Sequence, residues 1–177
     1  MKLALILLLL TVVQARENIN LTEIYTEFTE TITVQYKRTI KIKQTEVNIE
    51  QGDPISDIVY SWNNAVNSRD TNTLFNLYAP KVLYYGTELK DKLCVKDKRR
   101  FYKKYPSFRQ SIDNINIIKV SKNLYKVYFD KYVKMKEDSR IKNYPSYLLI
   151  GYFYGRLYIY VEGDTVTDRN LLKKYRR

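Results

Sequence analysis

From Asp53 onward, apolar residues recur with a helical period. Ile55, Ile58, Val59, Trp62, Ala65 and Val66 fall at i, i+3, i+4, i+7, i+10 and i+11, one stripe on one helix. Asp53 and Pro54 read as its N-cap and first helical residue, and it should stop near Ser68. Asp70 caps a second, short helix in which Leu74, Leu77 and Tyr78 share a face, and Pro80 is expected to end it. Val82 to Tyr85 reads as a short strand closed by Gly86. A third helix is predicted from about Lys92 to Tyr105, with Cys94, Phe101 and Tyr105 inward and Pro106 as terminator.

After Pro106 the pattern changes to strand spacing. Phe108 to Val120 and Leu124 to Met135 are joined through Ser121-Lys122-Asn123, and Tyr147 to Tyr154 and Leu157 to Glu162 form a hairpin about Gly155-Arg156. Alternation along the second of these strands puts Val127, Phe129 and Val133 on the core side, and Lys131 must share it. With Gly155-Arg156 as the loop, Tyr154 pairs with Leu157, Tyr152 with Ile159 and Ile150 with Val161 on one apolar face. Tyr147, Phe153, Tyr158 and Tyr160 then lie on the opposite face, with Leu149 and Gly151. Three helices followed by a long antiparallel sheet is an α+β layout, with helices on one sheet face.

The N-terminus follows neither pattern. Lys2 precedes an unbroken apolar run from Leu3 to Leu10, and Val13-Gln14-Ala15 supplies the small residues that stand before a signal-peptidase cut. The run is too short for a membrane span, which needs roughly 20 apolar residues. Residues 1–15 are therefore read as a cleaved signal peptide, with no stable span left afterwards and a periplasmic or extracellular bacterial location. Residues 16–52 form an N-terminal extension. Leu21, Ile24, Tyr25 and Phe28 have helical spacing there, and Ile32, Val34, Tyr36, Ile40 and Ile42 have strand spacing. The main domain is placed at 53–170, followed by a basic tail at 171–177.

Composition narrows the chemistry. The 177 residues are 45% apolar, enough for a core in one domain, and they carry 31 Lys plus Arg against 19 Asp plus Glu, a formal charge of +12. The absence of His and the single Cys94 exclude a Cys/His zinc site, an internal disulfide and a His-based triad; no metal and no cofactor are expected. Cys94 reads as a packed thiol. Basic residues cluster between Lys90 and Arg109, where Lys96, Arg99, Arg100, Lys103 and Lys104 could hold a polyanion or simply form a solvated helix face. Nucleic acid is not the expected partner of an exported chain. The 18 Tyr residues sit mostly at strand spacing, which their strand propensity explains.

The run Trp62-x-x-Ala65, then Asp70, Leu74, Leu77-Tyr78-Ala79, Val82 and Tyr84-Tyr85-Gly86, followed by a third helix and a four-stranded meander, resembles the nuclear transport factor 2-like superfamily. The resemblance covers roughly residues 54 to 168. It implies a cone in which three helices and a curved antiparallel sheet enclose a pocket, and a homodimer built on the outer sheet face. It is poorly specific for function, because this fold hosts both enzymes and binding modules. Catalytic members that resemble this chain use an Asp or a His/Asp pair in the pocket. His is absent here, and no Asp aligns with the isomerase base.

The pocket candidates are Trp62, Tyr84, Tyr85, Lys131 and Tyr152, and the dimer-face candidates are Tyr147, Phe153, Tyr158 and Tyr160. A Lys on an apolar face must reach the pocket mouth, pair with an acid or lose its proton, so Lys131 stands out. Glu162, Asp164 and Asp168 crowd the end of the last strand. They suit either turn and capping bonds or, less simply, an acid/base or divalent-cation site. The reading that results is an exported, non-catalytic ligand-binding or interaction module taking a small apolar or amphipathic ligand. The alternatives are an isomerase, dehydratase or cyclase using Lys131 with pocket Tyr residues, and polyanion binding through residues 90–109.

Overall fold

A computed structural model describes residues 53–175, which lie in one compact unit, Thr45–Arg177. Residues 1–52, read from the sequence as a signal peptide at 1–15 and an extension at 16–52, fall outside the described residues. In chain order the elements are α1 (Pro54–Ser68), α2 (Thr71–Leu77), β1 (Tyr78–Tyr84), β2 (Thr87–Lys90), α3 (Asp91–Lys104), β3 (Arg109–Ser121), β4 (Leu124–Lys134), β5 (Lys142–Phe153), β6 (Arg156–Asp164) and α4 (Thr165–Tyr175). The six strands form one sheet in the order β2-β1-β6-β5-β4-β3.

Two features of the expected layout need correction. The described residues hold four helices rather than three, because the chain continues past β6 into α4. Asp164 starts that helix by accepting hydrogen bonds from the Val166 and Thr167 amides at 3.0 and 2.8 Å. The sheet is mixed rather than antiparallel, because β1 runs parallel to β6.

Helix α1 forms as its stripe requires. Asp53 caps it through the Ser56 amide, and Ile55, Val59, Trp62, Ala65 and Val66 are buried. Arg69, in the left-handed conformation at φ 61°, closes its C-terminus. Helix α2 ends three residues before Pro80, which lies inside β1. Pairing of β1 with β6 shifts between Tyr78 and Leu83, so the proline sits where its missing N–H costs no ladder bond. The Tyr85-Gly86 pair, at φ 47° and 79°, turns the chain into the short strand β2, which its polar sequence concealed.

The β5–β6 hairpin closes through Tyr154-Gly155, at φ 48° and 75°, not through Gly155-Arg156. Tyr152 therefore pairs with Leu157 and Ile150 with Ile159. The shift is two residues, so these four keep their expected face. Beyond that point β6 carries one extra residue, Tyr160, and Leu149 pairs with Val161 and Leu148 with Glu162. The bulge moves Val161 away from the inner core and turns Glu162 into it. A second bulge, at Asn114 (φ 53°), breaks the β3–β4 register between Asp113 and Asn116. It lets Ile112, Ile115 and Ile117 all pack on the inner side, and the added twist curves the sheet.

Candidate functional site

The inner side of the sheet gathers polar groups around one carboxylate. Glu162 is 1% exposed and accepts three hydrogen bonds: from Trp62 Nε1 of α1 at 2.9 Å, from Lys98 Nζ of α3 at 2.6 Å, and from the hydroxyl of Tyr78 at the start of β1. Lys98 is itself buried, and its ammonium lies 5.4 to 6.0 Å from the ring centroids of Tyr84, Trp62 and Tyr85. Burial by itself would raise the Glu162 carboxyl. The Lys98 ammonium and its hydrogen bond, the Tyr78 hydroxyl and the charge of Lys131 outweigh that and hold it below the usual carboxylate range.

Lys98 reaches this point because α3 places Cys94, Lys98 and Tyr102 four residues apart on its buried face. The spacing was visible in the sequence and concealed by the surrounding charges. Cys94 is buried, as expected of a packed thiol, and its pKa is pushed up to about 12, by burial first and by Glu162 next. Tyr102 brings a hydroxyl with no hydrogen-bond partner among the described residues.

Lys131 sits beside this cluster. It points inward from the middle of β4, is 7% exposed, and donates to the Tyr85 hydroxyl at 3.0 Å while lying 5.3 Å from that ring's centroid. Its strand neighbours on the inner face are Phe129 and Val133, with Ile112 opposite on β3 and Tyr144 opposite on β5. Among the described residues no carboxylate lies within ion-pair distance of it. Burial lowers its pKa to about 8, with the nearby Lys98 adding to the effect and Glu162 and Asp164 opposing it.

Trp62, Tyr84, Tyr85 and Lys131 thus meet around Lys98 and Glu162. Tyr152 does not join them: it lies eight residues along β5 from Tyr144, the partner of Lys131, and packs edge-on to Tyr125 at 6.5 Å. Lys98, Glu162 and Tyr78 complete the cluster without having been singled out for it. The three acids at the end of β6 take separate roles, with Glu162 in the core and Asp164 capping α4. Asp168 accepts from the Tyr147 hydroxyl at 3.0 Å. None of them forms a metal-binding group among the described residues.

On the outer sheet face, Tyr147, Tyr158 and Tyr160 are buried within the single chain, and Phe153 is partly buried against Tyr154. The Lys126 ammonium lies 4.5 Å from the Tyr128 ring centroid and 5.4 Å from that of Tyr147. Cover from Ile32 to Ile42 concerns residues outside the described part. Lys96, Arg99, Arg100, Lys103 and Lys104 are all exposed on α3, and Arg99 bonds the Thr71 hydroxyl at 3.0 Å.

No known family profile matches the chain, and no curated protein matches it in sequence. Solved structures do. A nuclear transport factor 2-like protein of unknown function from Pseudomonas putida superposes with a TM-score of 0.56 at 11% identity, over 62% of this chain and 82% of that one. An uncharacterized protein with a cystatin-like fold from Caulobacter vibrioides gives 0.54 at 13% identity, over 67% and 95%. A Bdellovibrio bacteriovorus protein gives 0.53 at 15% identity over 62% of this chain, which spans 38% of that longer one. The described domain has the nuclear transport factor 2-like α+β fold, and at such identities the likeness speaks for fold alone.

Proposed function

We propose that this chain is a non-catalytic binding module that holds a small apolar or amphipathic ligand against the inner face of its sheet. The observation that carries this reading is the Glu162 carboxylate, whose acceptors are taken by Trp62, Tyr78 and Lys98 of the same chain. A general base needs a carboxylate that faces substrate, and this one is committed to holding helices and sheet together. What remains for a ligand is an aliphatic and aromatic surface with two polar groups short of partners, the Lys131 ammonium and the Tyr102 hydroxyl. We place the module outside the cytoplasm, on the strength of the Leu3–Ala15 segment.

The pair that favours an isomerase, dehydratase or cyclase instead is Lys131 with Tyr85, since an amine of pKa about 8 is poised to exchange protons near neutrality. The test uses Trp62, the single tryptophan of the chain, as a buried reporter. Titration of the full chain with 1-octanol and with 2-naphthol should give a saturable change in tryptophan emission, with both compounds recovered unchanged. Absence of saturable binding by either would reject the module. Recovery of a chemically altered compound would transfer the site to the enzymatic reading.

A further inference from the structure

The charges on the inner face balance except at one place. Lys98 and Glu162 neutralise each other at 2.6 Å. Asp164 spends its carboxylate on the Val166 and Thr167 amides, where the positive end of α4 meets its charge. Lys131 is left as a buried cation whose described hydrogen-bond partner is a neutral phenol. An ammonium has three N–H donors, and the Tyr85 hydroxyl takes one. Burying such a group without an acid is costly, so a bound anion would recover what folding gives up there.

We propose that Lys131 receives the carboxylate of a small apolar monocarboxylic acid, whose body lies along Ile112, Phe129 and Tyr144. This rests on the binding reading above. The surroundings decide the headgroup: the residues that flank or directly pair with Lys131 on the inner face, Phe129 and Val133 on β4, Ile112 on β3 and Tyr144 on β5, are aliphatic or aromatic, and the nearby polar Ser146 and Gln110 are bonded to the Tyr144 carbonyl and to Asn63. The spare capacity is one positive charge and two donors, which fits the single charge and two oxygens of a carboxylate. A phosphate dianion would bring an excess negative charge into a buried space that already holds Glu162.

Binding should also draw in a proton. The charged and titratable groups facing Lys131 are Lys98 from α3, Tyr85 from the β1–β2 turn, Tyr144 from β5, and Glu162 and Asp164 from β6, while β3 presents Ile112. With its pKa near 8, the amine is mostly neutral at pH 8.5, and an arriving carboxylate restores its charge.

Isothermal titration calorimetry of the full chain with octanoate, 1-octanol and octyl phosphate tests the proposal. Octanoate should bind at least tenfold more tightly than octanol at pH 7. Lys131→Met should abolish that preference, so that octanoate binds no more tightly than octanol. At pH 8.5 the octanoate heat should vary with buffer ionisation enthalpy in the direction of proton uptake. Equal affinity for acid and alcohol, or a preference for octyl phosphate, would overturn the carboxylate site and leave the binding module standing. No binding by any of the three would remove both. The acid-to-alcohol ratio and proton uptake are wild-type measurements, so they decide the question even if Lys131→Met fails to fold.

Discussion

The Lys98 ammonium stands 2.6 Å from Glu162 Oε1, with both side chains almost fully enclosed, and this ion pair ties α3 to the β6 strand at the centre of the sheet. Each partner alone would be a buried charge without compensation. Lys98→Met and Glu162→Gln should each cost about 3–5 kcal/mol, and the double variant should be markedly more stable than the sum implies. Chemical denaturation of the four proteins measures the coupling. Strict additivity would mean that the pair contributes nothing as a pair.

The same carboxylate sets an acid limit on stability. Its folded pKa lies below the unfolded value, so its contribution is complete above about pH 4.5 and is lost as pH falls through the folded pKa. The stability gap between wild type and Glu162→Gln should therefore shrink as pH falls below 4.5, as followed by urea midpoints. A gap that stays constant to pH 2.5 would contradict an ionised Glu162 in the fold.

Lys131 acts at the alkaline end of the pH profile. Its folded pKa, about 8, lies below the ordinary 10.5, so the unfolded chain binds more protons there across that window, and stability rises with pH between those values. Lys126, also drawn down to about 8 by burial, acts in the same direction, so the Lys131 share appears only as a difference between proteins. Lys131→Met should be more stable than wild type by about 1–3 kcal/mol at pH 7, with the advantage fading toward pH 10.5. A less stable Lys131→Met at pH 7 would mean that the ammonium makes compensating bonds in the folded chain.

Gly163 tests how tightly the outer face of β6 is packed. A Cβ there would stand 2.5 Å from the Tyr147 hydroxyl and 2.6 Å from Cζ, and that phenol is bonded to Asp168. Gly163→Ala should lower stability by about 1–3 kcal/mol, through displacement of the Tyr147 ring. Gly155, with open space around its Cβ position and φ +75°, is the control. Gly155→Ala should cost only backbone strain, about 1 kcal/mol. Thermal unfolding of both variants makes the comparison, and equal costs would show that Tyr147 yields freely.

The sequence by itself determined the elements that are governed by near-neighbour chemistry. The α1 stripe behind Asp53-Pro54, the inward Lys131 between Phe129 and Val133, and the paired face of Tyr152, Ile150, Leu157 and Ile159 follow from fixed side-chain periods of about 3.6 and 2 residues. Such periods hold only while an element stays regular. Tertiary structure decided where they break. One extra residue at Tyr160 sends Val161 outward and Glu162 inward, reversing the alternation that holds from Leu157 to Ile159. No local signal marks that bulge, because its position is set by how β6 must meet both β5 and β1. Lys98 was legible at four residues from Cys94 and from Tyr102, but a lysine on a charged helix reads as solvated until a buried acid is found to face it. That acid arrives from 64 residues away, and only the folded chain brings the two charges together.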